Sequence, residues 1–123
     1  MRYDVVLIGT GILCLLGGES LGIWMGANQN FTLAPAHAHL NLVGWVTLSL
    51  YGVAHRLYPA LSASRLAMPQ MIVAIIAAVT VPFTVAYTIM GGSELPAIIN
   101  SLFIVLGTLM FAIMFLGRAA KAA

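Results

Sequence analysis

Residues 34–59 read APAHAHLNLVGWVTLSLYGVAHRLYP, and the fold turns on which solvent this stretch is made for. Positions 36–57 carry one side chain with a fixed charge, Arg56, which stands almost at the end. A bilayer core of roughly 30 Å needs about 20 apolar helical residues per crossing, so the stretch is long enough to span. Two histidines open it and a third, His55, closes it. Their presence is the question that the apolar background raises.

Working outward, three more apolar runs of similar length occupy positions 4–26, 69–90 and 96–117. The chain has 123 residues, 62% of them hydrophobic, with five Lys/Arg against three Asp/Glu. Charged residues make up 7%, whereas a soluble domain carries about 25%. So few charges cannot cover a water-facing surface. The sequence therefore predicts an all-α membrane protein with four transmembrane helices in a single domain over residues 1–123, with no linker or low-complexity tract. The first run reads as a retained helix. Its start, MRYD, sets an acid beside the arginine, and its length exceeds that of a signal-peptide core. Bulky Leu13 before Cys14 breaks a lipoprotein pattern. A single cysteine supports no disulfide framework.

The charges give an orientation. Arg2 precedes the first run, Arg56 and Arg65 flank the second loop, and Arg118 and Lys121 follow the last run. The first loop has no charge and the third only Glu94. Excess Lys/Arg marks the cytoplasmic side, so both termini and the middle loop are expected inside, in the inner (cytoplasmic) membrane. The histidine pair then lies near the outer face. The net charge of +2 comes from these anchors. No basic patch interleaved with aromatics points to nucleic acid; the expected partner is membrane lipid. Pro35, Pro69 and Pro96 sit near helix starts, where a missing N–H costs least. Pro82 lies inside the third run and predicts a kink. Gly18, Gly22 and Gly26, four apart, let another helix approach closely, within the chain or from a neighbour.

At about 100° per residue, Asn41, Gly44, Tyr51, Gly52 and His55 fall within roughly 60° of His37. Leu48 lies in the middle of this stripe, Leu40 on its edge and Thr47 beside it. Polar side chains in a membrane helix face protein or trapped water, so the stripe is read as an inner face. His39, about 200° from His37, shares the opposite face with Val43, Val46, Leu50 and Val53. On a regular helix the two imidazoles therefore cannot hold one ion. His55, about 27 Å further along the axis, cannot join them either. Spacing alone leaves three readings open: a haem axial ligand covered by an apolar face, a site for another metal, or a structural role at a helix contact.

The segment AHAHLNLVGWVTLSLYGVAHRLYP resembles the histidine-bearing helices of the haem–copper oxidase catalytic subunit, in particular its nitric oxide reductase and cbb3-type branches. The likeness covers about a fifth of the chain and the four-helix plan. Those subunits arrange about twelve helices as three arcs around a pseudo-threefold axis, and in one arc the second helix carries His-x-His with each imidazole on a different haem. The resemblance implies that this chain is one such arc and that three copies assemble. His37 of one subunit and His39 of its neighbour would then ligate a b-type haem. The chain lacks the adjacent histidine pair of the family's copper site, and no tyrosine stands beside His37 and His39. Copper, oxygen reduction and proton pumping are thereby put in question. The implied activity is electron transfer with an unidentified donor, or reduction of oxygen or nitric oxide by an oxidoreductase of that type.

Around the pair, Glu19 is a candidate because a carboxylate within a membrane helix is functional by default; it would hold a ligand histidine's free N–H. Asn41, one turn beyond His37, is a second such candidate. Asn100 is expected to pair with Asn41, with a histidine, or across a helix contact. Two other classes of function remain: a non-catalytic structural protein whose polar stripe only directs assembly, and a small proton or metal transporter or sensor built on Glu19 and the histidines.

Overall fold

Backbone groups in hydrocarbon have no water to bond, so they bond within a helix. The computed structural model describes residues 1–119 and 121. Among the described residues it is all helix and turn, with no strand. Helix α1 is Tyr3–Asn28. Helix α2 is a continuous rod over 34–57, made of an α-helical start (Ala34–His39), a π-helical middle (Leu40–Thr47) and an α-helical end (Leu48–Leu57). A single turn, α3 (Pro59–Ser62), leads to α4 (Ala67–Ile89) and α5 (Leu95–Met114), and α5 ends in a π turn over Phe115–Ala119.

Three helices, Tyr3–Asn28, Ala67–Ile89 and Leu95–Arg118, are long and apolar enough to cross a membrane. The α2 rod is of similar length but is divided by its π-helical middle. There Thr47 Oγ1 donates to Leu42 O at 2.8 Å, five residues back, which matches the wider turn. Nothing in LNLVGWVT announces it. Pro82 lies buried inside α4, and the helix continues through it.

The helix ends follow from local chemistry. At the end of α1, Gln29 takes a left-handed conformation (φ 48°). Asn28 Nδ2 donates to Trp24 O and Gln29 Nε2 to Gly26 O, adding side-chain bonds to a last turn whose Gly26 O and Met25 O also accept the backbone N–H groups of Gln29 and Asn30. At the end of α4, Gly91 (φ 95°) supplies the turn, with Gly91 N donating to Thr88 O and Gly92 N to Tyr87 O.

Packing is by small residues. Helix α1 lies along α2, α4 along α5, and the start of α2 rests on α4. Many of the buried side chains are small: Ala36, Ala67, Ala74, Ala77 and Ala78 are all interior. Large apolar side chains point outward, with Leu13 69% and Phe83 72% exposed. Small residues inside and leucines outside is the pattern of helices associating within lipid, where apolar burial gives no drive. In water the same surface would be one large apolar patch. The interior is completed by Leu7, Leu48, Tyr51 and Met71, with Phe111 packed at their edge.

Candidate functional site

The histidine pair sits on the regular α-helical start of α2, where His39 has φ −63° and ψ −41°. The π-helical turn begins only after it, so the two rings leave the rod in nearly opposite directions. His37 is half-buried and faces α1, while His39 is exposed. The stripe behind His37 is interior throughout: Gly44, Leu48, Tyr51, Gly52 and His55 are buried and Asn41 partly so. On the His39 side, Leu42, Val46, Leu50 and Val53 are exposed. Val43 is the exception and packs against the core.

His37 Nδ1 lies 2.8 Å from Gly18 O. A carbonyl only accepts, so Nδ1 carries the hydrogen and Nε2 the lone pair. Asn41 Nδ2 donates to that Nε2 at 3.3 Å. The contact is tight because α1 offers glycines: a Cβ on Gly22 would stand 3.0 Å from His37 Cε1, and one on Gly18 would overlap the Asn41 amide. Asn41 Oδ1 is buried without a partner. His39 Nδ1 donates to Pro35 O at 2.7 Å, one turn back on its own helix. Both imidazoles thus hold the same tautomer by the same device, an Nδ1–H on a backbone carbonyl. Metal-bound histidines are commonly fixed and made more basic in this way, through the ring nitrogen that does not bind the metal. The Nε2 of His39 is open towards the outside of the chain; that of His37 is covered by an amide.

The residues singled out in the sequence are therefore only partly brought together. Asn41 meets His37. Glu19 is exposed, and the Nδ1–H offered by His37 goes to the carbonyl of Gly18 instead. Side-chain types do not reveal a carbonyl partner, but the glycines at 18 and 22 marked the close approach that delivers it. Asn100 meets neither Asn41 nor a histidine; its Nδ2 donates to Thr80 Oγ1 across α4 and α5. Among the described residues no three His, Cys, Asp or Glu side chains gather as a metal centre. One chain thus offers two single donors rather than a closed ion site.

His55, at the far end of the same stripe, is 4% exposed. Tyr3 from the start of α1 stacks on it at 5.1 Å. Its Nδ1 lies 3.0 Å from Ser62 Oγ, brought back by α3, and its Nε2 has no partner. At this end Arg2 pairs with Asp4 through two bonds of 2.9 and 2.7 Å.

Comparison with family models, with curated proteins and with solved structures returns no match to this chain.

Proposed function

We propose that the chain is a four-span inner-membrane protein with cytoplasmic termini. In this reading it assembles as a homotrimer, and His37 of one protomer and His39 of the next would hold a b-type haem between subunits. The observation that carries the reading is the matched pair of Nδ1–H···carbonyl anchors on imidazoles that leave the helix on opposite sides. A shared haem asks for that arrangement, and a single ion does not. The donor set fits: each ring keeps its Nε2 lone pair, and the exposed valines and leucines beside His39 suit the apolar ring system.

Within the chain, Gly18 O and Pro35 O orient the rings. Asn41 holds His37 Nε2 and must swing aside before that nitrogen binds. The haem, when bound, supplies one-electron redox chemistry. Two histidine ligands would leave no open iron position, which favours electron transfer over reduction of a small gas.

The visible spectrum tests this. Purified protein should show a sharp Soret band, and α bands on reduction, that vanish in both His37→Ala and His39→Ala. Mass measured in detergent should correspond to three chains. Colourless protein after expression with ample haem, or a stable monomer that still holds a bis-histidine haem, sinks the proposal.

A second reading has its own support. Both ring nitrogens of His37 are already bonded inside one chain, which is what a helix-pairing device in a structural protein needs. Under that reading His37→Ala loosens α1 from α2 and no pigment is ever found.

A further inference from the structure

A carboxyl group inside a bilayer has no water to bond and is found paired. Glu19 lies nine residues, about 13 Å, from the end of α1 at Asn28, too deep for its side chain to reach the rim. It is exposed, and among the described residues it makes no hydrogen bond or ion pair. Few groups on the chain could answer it. Every Lys and Arg among the described residues stands at the other end of the molecule: Arg2 before α1, Arg56 at the end of α2, Arg65 before α4, and Arg118 and Lys121 at the end of the chain. The Trp45 ring lies against Gly11, eight residues further down α1. Trp24 and Tyr87 are within four residues of their helix ends, nearer the rim, and Tyr58 stands at the far end. The Ser20 and Ser101 hydroxyls donate to their own backbone.

His39 remains. Gly22 meets His37 and Gly18 meets Asn41, so position 39 is level with position 20 on α1, one residue from Glu19. Its Nδ1–H is held by Pro35 O, which leaves the exposed Nε2 as the free position. Yet His37 faces α1 and His39 leaves α2 on nearly the opposite side, so the rod stands between His39 and the Glu19 of its own chain. We infer that, in the haem-free chain, Glu19 of one copy pairs with His39 Nε2 of the next. One proton lies between carboxyl and imidazole, and the couple is neutral as a whole. Partners on different flanks make the contact head-to-tail, which closes into a ring. Equal depth is what a ring in the plane of a bilayer requires. The inference does not rest on the haem reading. It uses the nitrogen which that reading gives to iron, so the two states exclude one another.

The test uses the full chain from a haem-deficient host, so its outcome is separate from that of the visible spectrum. Light scattering in detergent over a dilution series gives the association constant. The native chain is expected to associate. Glu19→Leu and His39→Leu should each weaken association about tenfold, the worth of one interhelical hydrogen bond, and the two together no further. Both side chains are exposed, so these variants should keep the native unfolding midpoint. The exchanged chain, Glu19→His with His39→Glu, should regain association. A short bis-methanethiosulfonate linker should join Glu19→Cys chains to co-expressed His39→Cys chains, both carrying Cys14→Ser, and should join neither to itself. A native chain that is monomeric without haem, association untouched by Glu19→Leu, an exchanged chain no better than the single variants, or Glu19→Cys chains linked to one another would each overturn the inference.

Discussion

Two glycines on one helix carry opposite expectations. A methyl group on Gly18 would overlap the Asn41 amide, which is itself pinned to His37. Overpacking of this kind costs roughly 1–3 kcal/mol, so Gly18→Ala should lower the unfolding midpoint in detergent and free α1 from α2. Around Gly26 there is open space. Gly26→Ala should be neutral or stabilising, by up to about 1 kcal/mol, through helix propensity. Equal losses at both positions would mean that the α1–α2 contact is not as drawn. The equal spacing of glycines 18, 22 and 26 announced a close approach but did not distinguish these cases. Which glycine meets a neighbour depends on where α2 begins, and that is set by the turn after Gln29. Asn41 gives a sharper test of the pair: if its amide only shields His37 Nε2, Asn41→Ala should keep any haem bands and tighten haem binding. Loss of the bands would show instead that Asn41 positions the ligand.

Where α4 meets α5, and α2 meets both, polar side chains are inserted among apolar ones, and their worth differs in sign. Gln70 is fully buried; Nε2 reaches Gly107 O at 3.3 Å while Oε1 has no partner. Removing an unsatisfied buried acceptor and keeping the volume is neutral or favourable. Gln70→Met is therefore expected to leave stability unchanged or raise it by up to about 1 kcal/mol. Tyr51 shares a hydrogen bond of 3.1 Å with Thr108 and packs on Phe111 at 4.4 Å. Tyr51→Phe keeps the ring contact and should cost about 0.5–1.5 kcal/mol, read as a shift in thermal unfolding. The helices themselves were legible in the sequence because hydrocarbon imposes long uninterrupted runs. The π-helical middle of α2 was not, since its residues differ in no obvious way from those of an ordinary helix. Asn100 was legible as an interhelical donor, but its partner Thr80 was not, because that pairing depends on how the α4–α5 hairpin closes.

The molecule as a whole turns small residues inward and large apolar ones outward, so membrane residence could be read from composition before any contact was known. Sidedness rests on the distribution of Lys and Arg, and it has a direct measurement. In a chain with Cys14→Ser, Asn30→Cys in the first loop should react with a membrane-impermeant maleimide on intact cells. Ala63→Cys in the second should react only after lysis. The reverse pattern would invert the topology and move the histidine pair to the cytoplasmic side. What composition could not convey is how far-separated residues meet at the rim, because that depends on chain reversals and not on side-chain type. Tyr3, His55 and Ser62 form one small clasp there. The clasp has a consequence for biogenesis. Tyr3 and His55 are both made before Ser62, so α1 and α2 can be synthesised and brought side by side while the clasp is still open, and it closes only once residue 62 has left the ribosome. A nascent product stopped just short of that point would insert normally yet stay unfastened at one edge, open to proteases that the finished protein resists.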